Sequence, residues 1–183
     1  MEKKKGTGKK TYSSALSWLR EAGLISFCFN LEEPNKPLVG NVIEDSFKIY
    51  MNDTGLLMAL MDRHDAADIV LRDPFSNKGA VMECAVASAI AKKGYPLYYY
   101  EKQNSTLEID FVTPIGGTPV LIEVKSGRNR RSKSLSTLMG EKDRKRIGLK
   151  ISESNITTDE KGIVHLPLYA PSFFEDASAP GIP

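Results

Sequence analysis

The chain has 183 residues, 41% of them hydrophobic, and a net charge of +2, enough for one full core with a smaller appendage. No apolar run nears the ~18 residues that span a bilayer, and the lysine-rich start leads into nothing resembling a signal peptide, so the expectation is a cytoplasmic protein with no membrane partner. Cys28 and Cys84 stand far apart, with no further Cys or His at ligand spacing, which argues against a zinc site or a disulfide framework.

The charge is unevenly spread. One basic stretch holds Lys3, Lys4, Lys5, Lys9 and Lys10; the other, from Lys125 to Lys150, holds Arg128, Arg130, Arg131, Lys133, Lys142, Arg144, Lys145 and Arg146 against Glu141 and Asp143. Solvated surface and phosphate binding are equal readings of each run. The second gains weight by following an acidic constellation, which makes Arg128, Arg130, Arg131 and Lys133 candidate nucleic-acid contacts. The segment GTGKKT (6–11) is not a phosphate loop: Lys3 and Lys10 occupy the positions that need a Gly and a Ser or Thr.

In chain order, Tyr12, Ala15, Leu16, Leu19 and Ala22 recur at helical spacing before Gly23, predicting an amphipathic helix over 11–25 that runs into a strand. A lone helix cannot bury such a stripe, so the front of a domain is expected to be missing. Residues 34–40 form a proline-rich loop, and 47–62 divide at Asn52-Asp53-Thr54-Gly55 into a short strand and a helix. Residues 1–77 are together expected to be a helical N-terminal segment with a linker. From Lys78 the pattern changes. A helix over 78–95 ends at Gly94, followed by strands at 97–101, 107–113 and 119–125, a polar helix near 131–143, and strands at 146–152 and 163–170. Residues 171–183 read as a frayed tail.

The chemistry concentrates around Gly116-Gly117. If these form a two-residue hairpin turn, Asp110 faces Glu123 and Glu108 faces Lys125, all on one face, while Ile109, Phe111, Ile122 and Val124 form the other. Pro114 and Pro119, which lack donors, leave a wider turn or a bulge open. Paired carboxylates repel, and a hard cation such as Mg2+ or Mn2+ reverses that cost. Lys125, two residues beyond Glu123, projects to the same side, where an ammonium can stabilise charge on phosphate. The competing reading is a solvated ribbon with ion pairs such as Glu108 with Lys125. Glu83 adds separate weight, as a lone acid in a helical stripe of Ala80, Val86, Ala87, Ile90 and Ala91 that needs a partner once buried.

At these residues the chain resembles the PD-(D/E)XK nuclease-like superfamily, the restriction-endonuclease fold. That pattern is a helix glutamate, a strand aspartate and E-x-K on the next strand, matched in order by Glu83, Asp110 and Glu123-Val124-Lys125. More narrowly, YSSALSWLREAGLI, FKIYMNDTGLL, KGAVMECAV, NSTLEIDFV and IEVKSG resemble the C-terminal region, a domain of unknown function, of a prokaryotic AAA-type ATPase family. Cys84 stands where relatives often show Asn. The resemblance implies an α/β restriction-endonuclease-like core (helix, three strands, helix, strand) over 78–170 and a winged-helix remnant before it. It also implies an ATPase module in the parent protein, of which this chain, lacking a Walker motif, is expected to be a fragment or degraded copy.

The leading expectation is therefore a magnesium-dependent phosphodiesterase acting on DNA, with Glu83, Asp110 and Glu123 as metal ligands and Lys125, Glu123 and Asp110 as catalytic groups. The alternative is a non-catalytic nucleic-acid or partner-binding module. A third reading, a structural dimerisation domain forming a homo-oligomer, draws on the six Met and on Tyr98 to Tyr100 taken as exposed.

Overall fold

A computed structural model describes residues 8–71, 78–126, 132–141 and 145–175. Its helices are α1 (Gly8–Glu21), α2 (Thr54–Leu60), α3 (Arg63–Val70), α4 (Lys78–Lys92) and α5 (Lys133–Met139). Its strands are β1 (Ile25–Leu31), β2 (Val42–Met51), β3 (Leu97–Glu101), β4 (Glu108–Ile115), β5 (Thr118–Val124), β6 (Ile147–Ser152), β7 (Thr157–Thr158) and β8 (Val164–Pro167). All eight lie in one mixed sheet, ordered β2-β1-β3-β4-β5-β6-β8-β7. From α4 to β6 the elements run helix, three antiparallel strands, helix and a strand parallel to β5.

The β4–β5 ribbon takes the register expected from its turn. Gly116 and Gly117 both have positive φ, 54° and 69°, the conformation that lets a two-residue loop match the twist of its flanking strands. Phe111 then pairs with Ile122, Val112 with Leu121, and Pro114 directly with Pro119. No wider turn forms.

Irregularity comes instead from the other edge of β4. Tyr98 pairs with Val112 and Tyr100 with Ile109, so Asp110 and Phe111 together oppose the single residue Tyr99, as in a β-bulge. The extra residue reverses the alternation. Phe111 joins a core with Ile122, Val124, Ile151 and the α4 residues Val86, Ala87 and Ile90. Ile109 instead joins Val112, Leu121 and the α5 residues Leu135 and Leu138. The expected apolar face of Ile109, Phe111, Ile122 and Val124 is thus split, and the sheet lies between α4 and α5.

The N-terminal stretch departs further from expectation. Residues before Lys78 are not merely helical, because β1 and β2 form an antiparallel hairpin whose β1 pairs parallel with β3, Cys28 facing Leu97. Glu44 and Asp45 hide the first half of β2 in the sequence by breaking its apolar pattern, so that only the short strand from Phe47 is expected; both are exposed, near the register shift at Phe29/Asn30. Asn52 ties this hairpin to the rest: its side chain donates to Gly23 C=O (2.9 Å) and accepts from Ser26 Oγ (2.6 Å), and its carbonyl accepts from Ser88 Oγ on α4 (2.6 Å). Tyr99 and Tyr100 are buried, one in each core cluster, which removes the exposed aromatics from the dimerisation reading.

Phe111 is 0% exposed and its ring lies 5.2 Å from that of Tyr50. Phe111→Ala is expected to cost about 3–5 kcal/mol of stability, measured by urea unfolding; a loss under about 1 kcal/mol would show that the α4 core does not rest on it.

Candidate active site

Asp110 stands on the bulge, past the last ladder pair of β4 and β5. Its Oδ2 accepts the Val124 N–H at 2.7 Å, so the side chain replaces a backbone acceptor and draws Asp110 against the strand carrying Glu123. Burial pushes this carboxyl up to about 6; the Val124 N–H pulls it down, Glu83 pushes it up, and Lys125 and Glu123 act in opposite senses behind them. These electrostatic partners are the residues expected around Asp110. Their charges reach it at the end of the ribbon, because the bulge turns Asp110 with Phe111 toward α4, and the single flat face expected for Glu108, Asp110, Glu123 and Lys125 does not form.

Glu123 is 6% exposed, between the core residues Ile122 and Val124 and across from Lys150 on β6. Its Oε1 pairs with the Lys125 ammonium at 2.7 Å. Its Oε2 is buried without a hydrogen-bond partner, one of two such side-chain atoms among the described residues, the other being Ser132 Oγ. An unpartnered buried carboxylate oxygen is costly. Burial works against the charge on Lys125, but the bond and charge of Glu123, with Asp110 and Glu83 beyond, more than offset it and hold the ammonium above its ordinary value.

Glu83 on α4 is half-buried and accepts from the Tyr50 hydroxyl at 3.2 Å. Ala80, counted in its stripe, is exposed, whereas Val86, Ala87 and Ile90 are buried as expected. Burial, then the Glu83 charge, pushes the Tyr50 hydroxyl up, and burial pushes the Cys28 thiol up. Glu108 does not pair with Lys125. Its partner is Lys48, at 2.6 Å, whose ammonium lies 4.6 Å from the centre of the Tyr99 ring. Lys48, Tyr50 and Cys28 were not anticipated. Alternation along 46–51 shows that Ser46, Lys48 and Tyr50 share a face, but only the pairing of β2 with β1, and of β1 with β3, brings that face to Asp110.

Among the described residues no three His, Cys, Asp or Glu side chains stand close enough to hold a metal ion, so Glu83, Asp110 and Glu123 are not assembled as a three-carboxylate cage. Each instead has a partner from the chain: Tyr50, the Val124 N–H and Lys125. The basic run is also reshaped. Arg128, Arg130 and Arg131 lie outside the described residues, and Lys133 is exposed at the start of α5. Arg146 turns inward, its side chain 3% exposed, bonding Asn35, the Leu138 carbonyl and Glu141, and Lys150 is 2% exposed. No described helix is long and apolar enough to cross a membrane.

Residues 78–170, the span that carries all four candidate groups, match the family model described as "Domain of unknown function (DUF4143)". The chain belongs to this family. DUF4143 domains are commonly found in AAA-ATPase-containing proteins. Residues 1–67 match a second model, "Domain of unknown function (DUF8612)", so the boundary between the two matches falls after β2 and α2. Comparison with curated proteins and with solved structures found no match.

Asp110 gives this DUF4143 domain a pH signature. Its folded pKa lies above that of an unfolded aspartate, so the folded protein holds the extra proton between roughly pH 4 and 6, and stability from this group falls as pH rises through that window. Asp110→Asn keeps an acceptor for Val124 and removes the charge. It is expected to be more stable than the parent by about 1–3 kcal/mol above the window and equal to it below. Urea unfolding near pH 4 and pH 8 checks this; a difference that does not change with pH would contradict it.

Proposed function

We propose that this DUF4143 domain is a metal-dependent phosphodiesterase acting on nucleic acid, DNA first, built on a restriction-endonuclease-like core. The observation that carries the reading is that Asp110 reaches across to the Val124 N–H at 2.7 Å, between Glu123 and Lys125, which pair with each other at 2.7 Å at the end of the ribbon. The run of helix, three antiparallel strands, helix and parallel strand, with those acids on its first helix and on β4 and β5, supports it.

The residues present suit a hard cation. Asp110 and Glu123 offer carboxylate oxygens, one of them buried and unpartnered, and the ionised form of Asp110 is disfavoured by burial. One or two carboxylates, completed by waters and phosphate oxygens, are the usual protein share of a magnesium site. Bound there, Mg2+ or Mn2+ would supply a Lewis acid and a water of lowered pKa. Glu83 is the third acid of the proposed set, held by Tyr50 in this structure. Lys125 is a positive charge fixed two residues from Glu123 and one third exposed, suited to hold a non-bridging phosphate oxygen and offset charge developing on it. Arg128, Arg130, Arg131 and Lys133 are the proposed contacts to the flanking backbone.

One finding favours the second reading, a non-catalytic nucleic-acid or partner-binding module: the three acids are not preassembled, and Glu123 is closed by its own lysine.

The two readings separate on a pair of variants. Lys125→Ala is expected to keep metal affinity, since a nearby positive charge is lost, while plasmid cleavage falls about 10²–10³-fold. Asp110→Asn is expected to lose both the calorimetric metal signal and cleavage. If the parent chain is inert on single-stranded, duplex and branched DNA with magnesium or manganese, the binding-module reading replaces catalysis.

A further inference from the structure

Beside the carboxylates lies a second group of side chains to which the catalytic reading gives no role. The turn joining β3 to β4 is tightly held: Lys102 N–H donates to Leu107 C=O at 3.0 Å, Ser105 N–H to Lys102 C=O at 3.2 Å, and Leu107 N–H to Ser105 Oγ at 3.2 Å. Asn104 takes the left-handed conformation there, φ 56°, which Asn tolerates better than most side chains. Between this turn and β2 opens a cleft of about 810 Å³, lined by polar groups that include Asn30, Ser46, Lys102, Gln103 and Asn104, with one acid, the exposed Glu101, at its side.

Ser46 connects the cleft with the acids. Its Oγ hydrogen-bonds the Tyr99 hydroxyl at 2.9 Å, and the Lys48 ammonium lies over the ring of that same tyrosine, 4.6 Å from its centre. Lys48 then reaches Glu108 at 2.6 Å, the first residue of β4 after the turn, and feels the charges of Glu83 and Asp110 beyond it. An aromatic face and a carboxylate thus fix a long, flexible side chain between the cleft and the candidate active site. Its side chain remains 31% exposed. Burial works against its charge, but the Glu108 bond more than offsets this, so it stays an ammonium.

We propose that this cleft receives the nucleic-acid backbone beside the scissile phosphate and that Lys48, which stands next to the cleft and not in its lining, holds a phosphate at its edge, exchanging Glu108 for it. The inference rests on the nuclease reading for the word scissile and not for the binding. Gln103 and Asn104 give the cleft amide donors and acceptors for sugar and base edges, and Lys102 a second positive charge. Glu108 acts as the resident stand-in for phosphate. Removing its charge should therefore strengthen binding, an effect that damage to the fold does not mimic.

The test is the affinity of the full chain for a short labelled DNA duplex across a salt series, once in calcium, which stands in for magnesium, and once in EDTA. Lys48→Met is expected to weaken binding about fivefold to tenfold and to reduce the salt slope by about one, with Lys48→Arg restoring most of both. Glu108→Gln is expected to tighten binding severalfold. Unchanged affinity and slope in both Lys48→Met and Glu108→Gln would overturn the inference, and so would weakening in both, which would mark the pair as structural. If Asp110→Asn and the parent alike show no metal binding and no cleavage while the Lys48 and Glu108 effects persist in EDTA, the catalytic reading fails and the cleft stands as a nucleic-acid site.

Discussion

The structure depends on a backbone constraint at the tip of one ribbon. Two adjacent residues with positive φ are tolerated at Gly116 and Gly117 because neither carries a Cβ, and the two-residue turn they make sets the register of β4 against β5. A slip of one residue would exchange the faces of every side chain on one strand. Phe111 or Ile122, whichever lay on the slipped strand, would leave the α4 core, and Asp110 would lose the Val124 N–H. The ladder, the bulge and the site share this one dependence.

At the site, the cost of placing acids together is met within the chain. A backbone N–H, a lysine and a tyrosine hydroxyl each take one carboxylate oxygen, and what remains is one buried oxygen on Glu123 without a partner and a half-buried aspartate easier to protonate than usual. Folding alone gives little reason to keep such a group, since an apolar residue of similar size avoids the desolvation cost. The proposed cation site gives one.

Much of the core was legible because its signals are local. Gly116-Gly117 predicts the hairpin register, Gly94 the end of α4 at positive φ, and Asp53 caps α2 by accepting from Leu56 N–H, as its turn sequence suggests. The bulge at Asp110 was not legible, because it arises from the mismatch of β4 against β3, a long-range pairing that no short window contains. The same reason hid Lys48 and Tyr50. Their alternation was visible, but the partner across the sheet lies about sixty residues away for Lys48 and Glu108. Composition misled most in the basic run: Arg146 and Lys150 count as surface charge in the sequence, yet the fold turns both inward.

The order of strands leaves β2 and β7 as the two edges of the sheet. An exposed edge is a template on which another chain can add a strand and begin aggregation. At one side the edge is short, since β7 has only Thr157 and Thr158. At the other, β2 has ten residues and half-exposes Phe47 and Ile49, a length and character that invite pairing. The acidic pair Glu44-Asp45 and the register shift nearby interrupt it, setting charge where an incoming strand would lie and breaking the run of evenly spaced backbone groups. The same two residues that conceal the first half of the strand in the sequence thus place charge on its open edge, as gatekeeper residues do.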